Sequence, residues 1–436
     1  MVHPCDHCGS TEATKRCSRC HSVWYCGIKC QKEAWRAGHR LTCGKMTEES
    51  NSMINIPEQE ISENPIDPPM PQPRSTGAIQ SSNGQIEVDL SSPTEEGEGQ
   101  ISEEYEAMAR EMGKSVRSGQ MLLHSGRFRE AARAFEQGEA LSCELLHHLP
   151  DKQVGLNLAR VEALRGKGCA FLQLSTQQAN KFLNQSLSLI NQLKIMNNLT
   201  ESQYEKLTLS EADCYDNLGT QKLIEDNAVA ALCLFNQSLA IMKRIGNTEG
   251  QLVSYGNIGL ALQQLNRLDE ALEMQKREAD LARKAYEETG EAVFNSYVAS
   301  ALNNSGSIYL GKGDRDAALA CFKEACQLSH ETQNLACKRD ALVNLINHTD
   351  DVSQSREYVP DLTELQNQCA GRPPQTDCTI CLENLAVDTS KRIYVVPQCE
   401  HLFHQDCWDS LKTLTGASQS GPIPCPLCHD SMTGPP

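Results

Sequence analysis

The sequence contains no run of eighteen apolar residues, whereas a bilayer-spanning helix needs about 20. Its opening stretch, MVHPCDHCGS, lacks the apolar segment that directs secretion. Position 2 is Val2 rather than glycine and the final MTGPP holds no cysteine, so the acceptor residues for myristoylation and prenylation are absent. These absences lead to an expected location in the cytoplasm or nucleus, with no membrane span. Positive charge is also scarce. Forty Lys and Arg face 57 Asp and Glu, a net charge of -17, which argues against general affinity for nucleic acid because phosphates must be neutralised by cations. Residues 45–100 have no aromatic side chain at all, and carry seven prolines and eleven acidic residues against two basic ones. Such a stretch cannot bury enough apolar surface to offset its ordering entropy, so it is expected to be an acidic, disordered Pro/Ser-rich linker.

Cysteine, by contrast, is abundant: the chain has 21. In a reducing compartment clustered thiols indicate metal binding or catalysis rather than disulfides. Seven of them fall in residues 5–43 and six in 378–428, at paired spacings, while the other eight are dispersed. In the first group Cys5 and Cys8, Cys17 and Cys20, Cys26 and Cys30, and His39 and Cys43 form four pairs, enough donors for two tetrahedral zinc ions. A segment of this size makes no adequate core without a staple, and metal supplies one. The same residues 1–44 carry seven basic against three acidic side chains, so this end is locally positive.

Between about residues 103 and 350 the composition turns to Ala, Leu, Glu and Gln at helical periods, with proline nearly absent. An internal repeat is anchored at Gly219, Gly259 and Gly306, each followed twelve residues later by alanine (Ala231, Ala271, Ala318) and sixteen later by Phe235, Gln275 and Phe322. An earlier copy keeps the offsets with Gly119, Ala131 and Phe135, and a degenerate one surrounds Gly168. The pattern resembles the tetratricopeptide repeat (TPR), in the longer version of kinesin light chains. That resemblance implies a mainly α fold, an α-solenoid of stacked helix pairs, with a peptide groove on its concave face. Asn217, Asn257 and Asn304 precede the anchors by two residues. By the resemblance they face that groove and bond an extended peptide; intramolecular bonds between repeats are the alternative.

The first finger, with Tyr25 before its fifth ligand and a closing His39 and Cys43, resembles the MYND finger. The resemblance implies that Cys5, Cys8, Cys26 and Cys30 share one zinc and Cys17, Cys20, His39 and Cys43 the other. It also implies recognition of proline-containing peptides through Ser18, Gln31 and Trp35. Gln31 and Trp35 share a helix face, where an indole can stack on proline; packing of Trp35 inside the finger is the alternative. Some MYND proteins are lysine methyltransferases, but the additional catalytic block with its own cysteine and asparagine motif is not found here.

In the last group Cys378, Cys381, Cys399, His401, His404, Cys407, Cys425 and Cys428 follow the order of a RING finger with two central histidines. The resemblance implies a cross-brace in residues 375–432, with Cys378, Cys381, His404 and Cys407 on one zinc and Cys399, His401, Cys425 and Cys428 on the other. RING domains dock a ubiquitin-conjugating enzyme on a shallow apolar groove, and the matching positions are Ile380, Leu411 and Pro426; packing of Ile380 within the finger is the alternative. Leu411 stands where the family usually has tryptophan, and Trp408 lies directly beside Cys407. The repeats and RING together are similar to rapsyn-type scaffolds, although the first finger and Val2 do not match that family.

The reading therefore expects a TPR-type α-solenoid flanked by two small double-zinc cross-brace fingers. Its domains are a MYND-type finger at 1–44, a linker at 45–100, helical repeats at 103–350 and a RING-type finger at 375–432. The implied function is a RING-type ubiquitin ligase or adaptor that selects partners through the first finger and the repeats, and the alternative is a non-enzymatic scaffold. With every zinc fully ligated by protein, metal-activated water is excluded and the ions are structural. Elemental analysis of purified chain should return four equivalents of zinc, and far fewer would contradict the ligand assignment.

Overall fold

The computed structural model describes residues 102–196, 199–370, 375–386, 389–397, 399–415 and 425, together with four strand residues near the amino end. The chain divides into two compact units, residues 1–66 and 67–436. In the first, β1 (Lys15–Arg16) and β2 (Trp24–Tyr25) pair antiparallel, with Lys15 opposite Tyr25 and Arg16 opposite Trp24.

The second unit is dominated by antiparallel helix pairs: α1 (Glu103–His124) and α2 (Phe128–His148), α3 (Gln153–Leu172) and α4 (Thr176–Lys194), α5 (Glu201–Ile224) and α6 (Ala228–Arg244). They continue as α7 (Thr248–Gln264) and α8 (Leu268–Thr289), α9 (Ala292–Gly311) and α10 (Arg315–Glu331), then α11 (Leu335–His348). Local sequence sets the boundaries. Thr200 and Gln203 form a reciprocal capping box at the start of α5, and Asn227, Asn247, Asp314 and Asn334 each accept the amide three residues on. Each cap satisfies a helix-terminal N–H that would otherwise lack a partner. The turns inside pairs run through left-handed residues, among them Asp226, Asn266 and Gly313, types for which that conformation costs least.

The repeated glycine explains how the pairs close. A Cβ on Gly219 would stand 2.4 Å from the Phe235 ring, and one on Gly306 would stand 2.5 Å from Phe322. The absent side chain is the slot into which the next helix inserts its aromatic ring. Gly119 faces Phe135 in the same way, but Phe135 also presses on Gly166, where a Cβ would come within 2.4 Å. The first ring thus bridges two repeats. In the copy where glutamine replaces phenylalanine, Gln275 is fully buried, donates to the Gly256 carbonyl at 3.4 Å and accepts from Asn304 at 3.3 Å. A polar tie has replaced an apolar plug there.

After α11 the chain forms α12 (Val352–Glu357) and α13 (Val359–Ala370), helices in a stretch that the repeat pattern left unassigned. They and α11 carry the second finger. Its strands β3 (Ile393–Val395) and β4 (Leu402–His404) pair antiparallel, Tyr394 opposite Phe403, and lead into α14 (Gln405–Thr415). Leu342, Ile346, Leu362 and Leu365 from the helices form one buried cluster with Ile393, Val395, Leu402, Phe403 and Trp408. Trp408 stacks on Tyr394 with ring centroids 5.2 Å apart and tilts against Phe403 at 5.3 Å. The tryptophan beside Cys407 is therefore a core residue of the finger.

Polar contacts fix the same junction. The Asn347 side chain accepts from the Val395 amide and donates to its carbonyl, both at 2.9 Å, and so completes one edge of β3. Arg392 donates back to the Asn347 carbonyl at 2.7 Å, Arg356 donates to the Lys391 carbonyl at 2.7 Å, and Gln366 donates to the Glu400 carbonyl at 2.8 Å.

Two outcomes are expected. Gly219→Ala forces a methyl into the Phe235 ring and should cost roughly 1–3 kcal/mol, the usual penalty of overpacking. Urea unfolding followed by circular dichroism reads that loss, and adding Phe235→Leu should recover part of it. Asn347→Ala leaves two strand groups without their partner, a loss of about 1–3 kcal/mol when such groups stay buried. Faster amide exchange at Val395 and faster chelator-driven zinc release should follow.

Candidate metal centres and interaction surfaces

The second finger builds its donor sets on the strand pair. Cys378 and Cys381 sit on a loop closed by Leu382 N–H to the Cys378 carbonyl at 2.7 Å and Cys378 N–H to the Glu383 carbonyl at 2.9 Å. His404 ends β4 and Cys407 follows in the first turn of α14. The Sγ atoms of Cys378, Cys381 and Cys407 and a ring nitrogen of His404 all lie within 4.8 Å of one another. A tetrahedral zinc with Zn–S bonds of about 2.3 Å holds its donors about 3.5 to 3.8 Å apart. The Cys381 Sγ to His404 Nδ1 separation is 3.3 Å, so the cluster has the right size for that ion.

Electrostatics fit a dication as well. Burial raises the Cys378 thiol, but backbone hydrogen bonds at Cys381, His404 and Ile380 outweigh it and hold the group below its ordinary value, which favours the thiolate that binds metal. Cys407 is pushed up to about 12, first by burial and then by the neighbouring Cys381 and Cys378 sulfurs. Close-packed thiolates repel one another, and a cation at their centre removes the conflict. The second set brings Cys399, His401 and Cys425 within 4.8 Å, with Cys425 Sγ 3.4 Å from His401 Nδ1. Cys428 lies outside the described residues. So do all eight expected ligands of the first finger, Cys5, Cys8, Cys17, Cys20, Cys26, Cys30, His39 and Cys43, along with Ser18, Gln31 and Trp35; β1 and β2 end immediately before Cys17 and Cys26.

Of the expected docking residues, Ile380 and Leu411 are half-buried and pack against the junction cluster, and Pro426 lies outside the described residues. Leu382, next to Cys381, is 81% exposed and in the left-handed region at φ 63°. The sequence reading did not single it out. Its signal was an apolar residue in an Ile-Cys-Leu triplet on a ligand loop.

The three asparagines of the repeats differ in setting. Asn217 is buried and donates to the Asp213 carbonyl one turn earlier at 2.7 Å. Asn304 ties α9 to α8 through Gln275. Asn257 is half-buried, but its Nδ2 is shut off from solvent and acts on the buried Asp216 carboxyl. Bonds within the array are thus realised at the first two.

Family models match three kinds of module. The MYND finger matches residues 5–43, the tetratricopeptide repeat matches 209–284 and 299–331, and a RING-like zinc finger matches 377–408. Among curated proteins, the histone-lysine N-methyltransferase ASHR1 of Arabidopsis thaliana is 49% identical over 43 residues, 10% of this chain and 9% of that protein. Ubiquitin carboxyl-terminal hydrolase 19 of the same plant is 51% identical over 39 residues, 9% of this chain and 6% of that protein. The chain therefore matches less than a tenth of the length of either relative. Among solved structures, the apo form of RapI aligns with a TM-score of 0.44 at 13% identity, over 59% of this chain and 84% of that one. The TPR-like repeats of a putative kinesin light chain from Podosopora anserina align with a TM-score of 0.35 at 16% identity, over 54% and 100%. The family models thus show a chain that carries a MYND finger, tetratricopeptide repeats and a RING-like zinc finger, a set of zinc-binding and protein-interaction modules.

Proposed function

We propose that this chain is a RING-type ubiquitin ligase whose MYND finger and repeats select the protein to be modified, while the second finger recruits the conjugating enzyme. One observation carries the reading: the loop that holds the first ligand pair presents Ile380 half-buried between the two cysteines and Leu382 exposed just after them, at the surface of a finger anchored to the repeats. Ile380 matches a position at which RING fingers meet their conjugating enzymes, and Leu382 adds exposed apolar surface beside it. Leu411 and Pro426 complete the proposed docking groove.

Zinc in this reading, four ions per chain, supplies only shape. Each would be enclosed by four protein donors, which leaves no position for a reacting water. The chain contributes no nucleophile. Its part is to hold a ubiquitin thioester and a substrate lysine together, and such positioning can lower a barrier by several kcal/mol through entropy alone. Substrate choice falls to the first finger, with Ser18, Gln31 and Trp35 holding a proline-containing peptide, and to the repeats, where Asn217, Asn257 and Asn304 mark the face for an extended one. The proposed place of action is the cytoplasm or nucleus; no helix among the described residues is long and apolar enough to cross a membrane.

The test is autoubiquitination with activating enzyme, ATP and a panel of conjugating enzymes. The unaltered chain should form conjugates with at least one enzyme of the panel, and Ile380→Ala should reduce the rate by an order of magnitude or more with zinc content unchanged. A silent unaltered chain across the whole panel would leave the non-enzymatic scaffold as the function.

A further inference from the structure

A cleft of about 420 Å³ opens between α2, α3 and α4, outside both fingers and outside the residues matched by the repeat models. Its walls are mainly apolar and cationic, with one acidic group, Glu136, 3.8 Å from the Lys167 ammonium. Phe171 from α3 and Phe182 from α4 stack at 5.5 Å and form an apolar side, and Arg129 and Arg133 from α2 form a cationic one. At the base lies Lys167, 5% exposed, its ammonium 4.2 Å from the centre of the Phe182 ring and paired with Glu139 at 2.9 Å. Gln178, in the first turn of α4, adds a polar group at the rim.

The two arginines are the unusual element. They stand one turn apart on one helix face, an arrangement of like charges that destabilises a helix. The adjacent Glu130 is already clasped by Arg127, whose Nε reaches Oε1 at 2.7 Å. Neither Arg129 nor Arg133 makes an ion pair or side-chain hydrogen bond among the described residues, although the chain as a whole carries 57 acidic side chains. Nearby, Lys181 lies 5.6 Å from the Phe182 ring, so positive charge continues along this rim. Arg133 acts on Glu130 through space, yet Arg129, Arg133 and Lys167 outnumber Glu136 in the lining, so cationic groups beside an open aromatic wall make a surface complementary to a negatively charged, partly apolar ligand.

We propose that this cleft binds an acidic peptide segment of a partner protein, with an apolar side chain of the peptide against Phe171 and Phe182 and its flanking carboxylates on Arg129 and Arg133. The surface belongs to α2, α3 and α4, whereas Asn217, Asn257 and Asn304 mark α5, α7 and α9. It therefore gives the array a second, charge-selective contact. The proposal does not involve ubiquitin transfer, and its test contains no ubiquitin.

The probe is a fluorescent, end-blocked decapeptide with glutamates on both sides of a central leucine, titrated with the zinc-loaded full chain at low salt. One control peptide carries lysines for the glutamates and another carries serine for the leucine. Because residues 1–44 are themselves basic, the readout is the difference between chains. Arg129→Glu with Arg133→Glu should weaken binding at least tenfold at an unchanged melting temperature, since both side chains are exposed. Reversing Arg277 and Lys284, exposed on α8, should leave binding as it was. Equal weakening by both double variants, equal binding of the serine peptide, or no preference over the lysine peptide would each overturn the proposal.

Discussion

No element of this chain can bury an apolar face by itself. A single helix pair leaves an apolar face for its neighbour to cover, and a finger of some forty residues is too small for a core, below the size at which packing alone suffices. The whole structure follows from that constraint, met in two different ways. Within the array the answer is contact, with an aromatic ring entering the space left by a glycine on the neighbouring helix. Within the fingers the answer is a metal ion. At the junction of α11 and α13 with the second finger both operate together, since the apolar cluster that closes the last helices is the same cluster that backs the zinc loops.

Much of this was legible because the constraint writes itself into spacing. A glycine followed at fixed offsets by alanine and phenylalanine records a helix crossing, and the pairs of cysteines record the bite of a tetrahedral ion. Family models and geometry agree with those signals at the level of modules. The junction was less legible. Asn347 reads as one more asparagine near a helix end, and only the fold reveals that its amide completes one edge of β3 from 48 positions away in sequence. The helices at 352–370 lack the repeat's signature because they pack on α11 and the finger together rather than on a further helix pair. Trp408 was noted as displaced by the same reading, and its stacking on Tyr394 supplies the reason: at this position the ring serves the core of the finger.

Charge behaves differently at different depths. Buried in the array, Arg165 is gripped by Glu162 at 2.5 Å and by Asp213 at 3.3 Å, and Ser210 satisfies the remaining Glu162 oxygen at 2.8 Å. Such a group is tolerated because each of its charges has a partner. The neighbouring Asp216 has no cation beside it among the described residues. Burial raises its pKa to about 8, against the hydrogen bond from Ser238 at 2.6 Å, so it keeps its proton near neutrality. On α2, Arg129 and Arg133 are exposed and form no direct ion pair among the described residues, so their charge stays available in water. A formal sum of -17 therefore says little about any one surface; the sign that matters is set locally by which side chains have already found partners.

The Asn347 contact has a consequence for how such proteins are assembled. A module joined by a flexible tether can be exchanged for another with little penalty, as its fold is complete when it arrives. Here a backbone edge of the finger is finished by the last helices of the array, so the two are not portable separately, and a chimera would have to carry α11 to α14 as one piece.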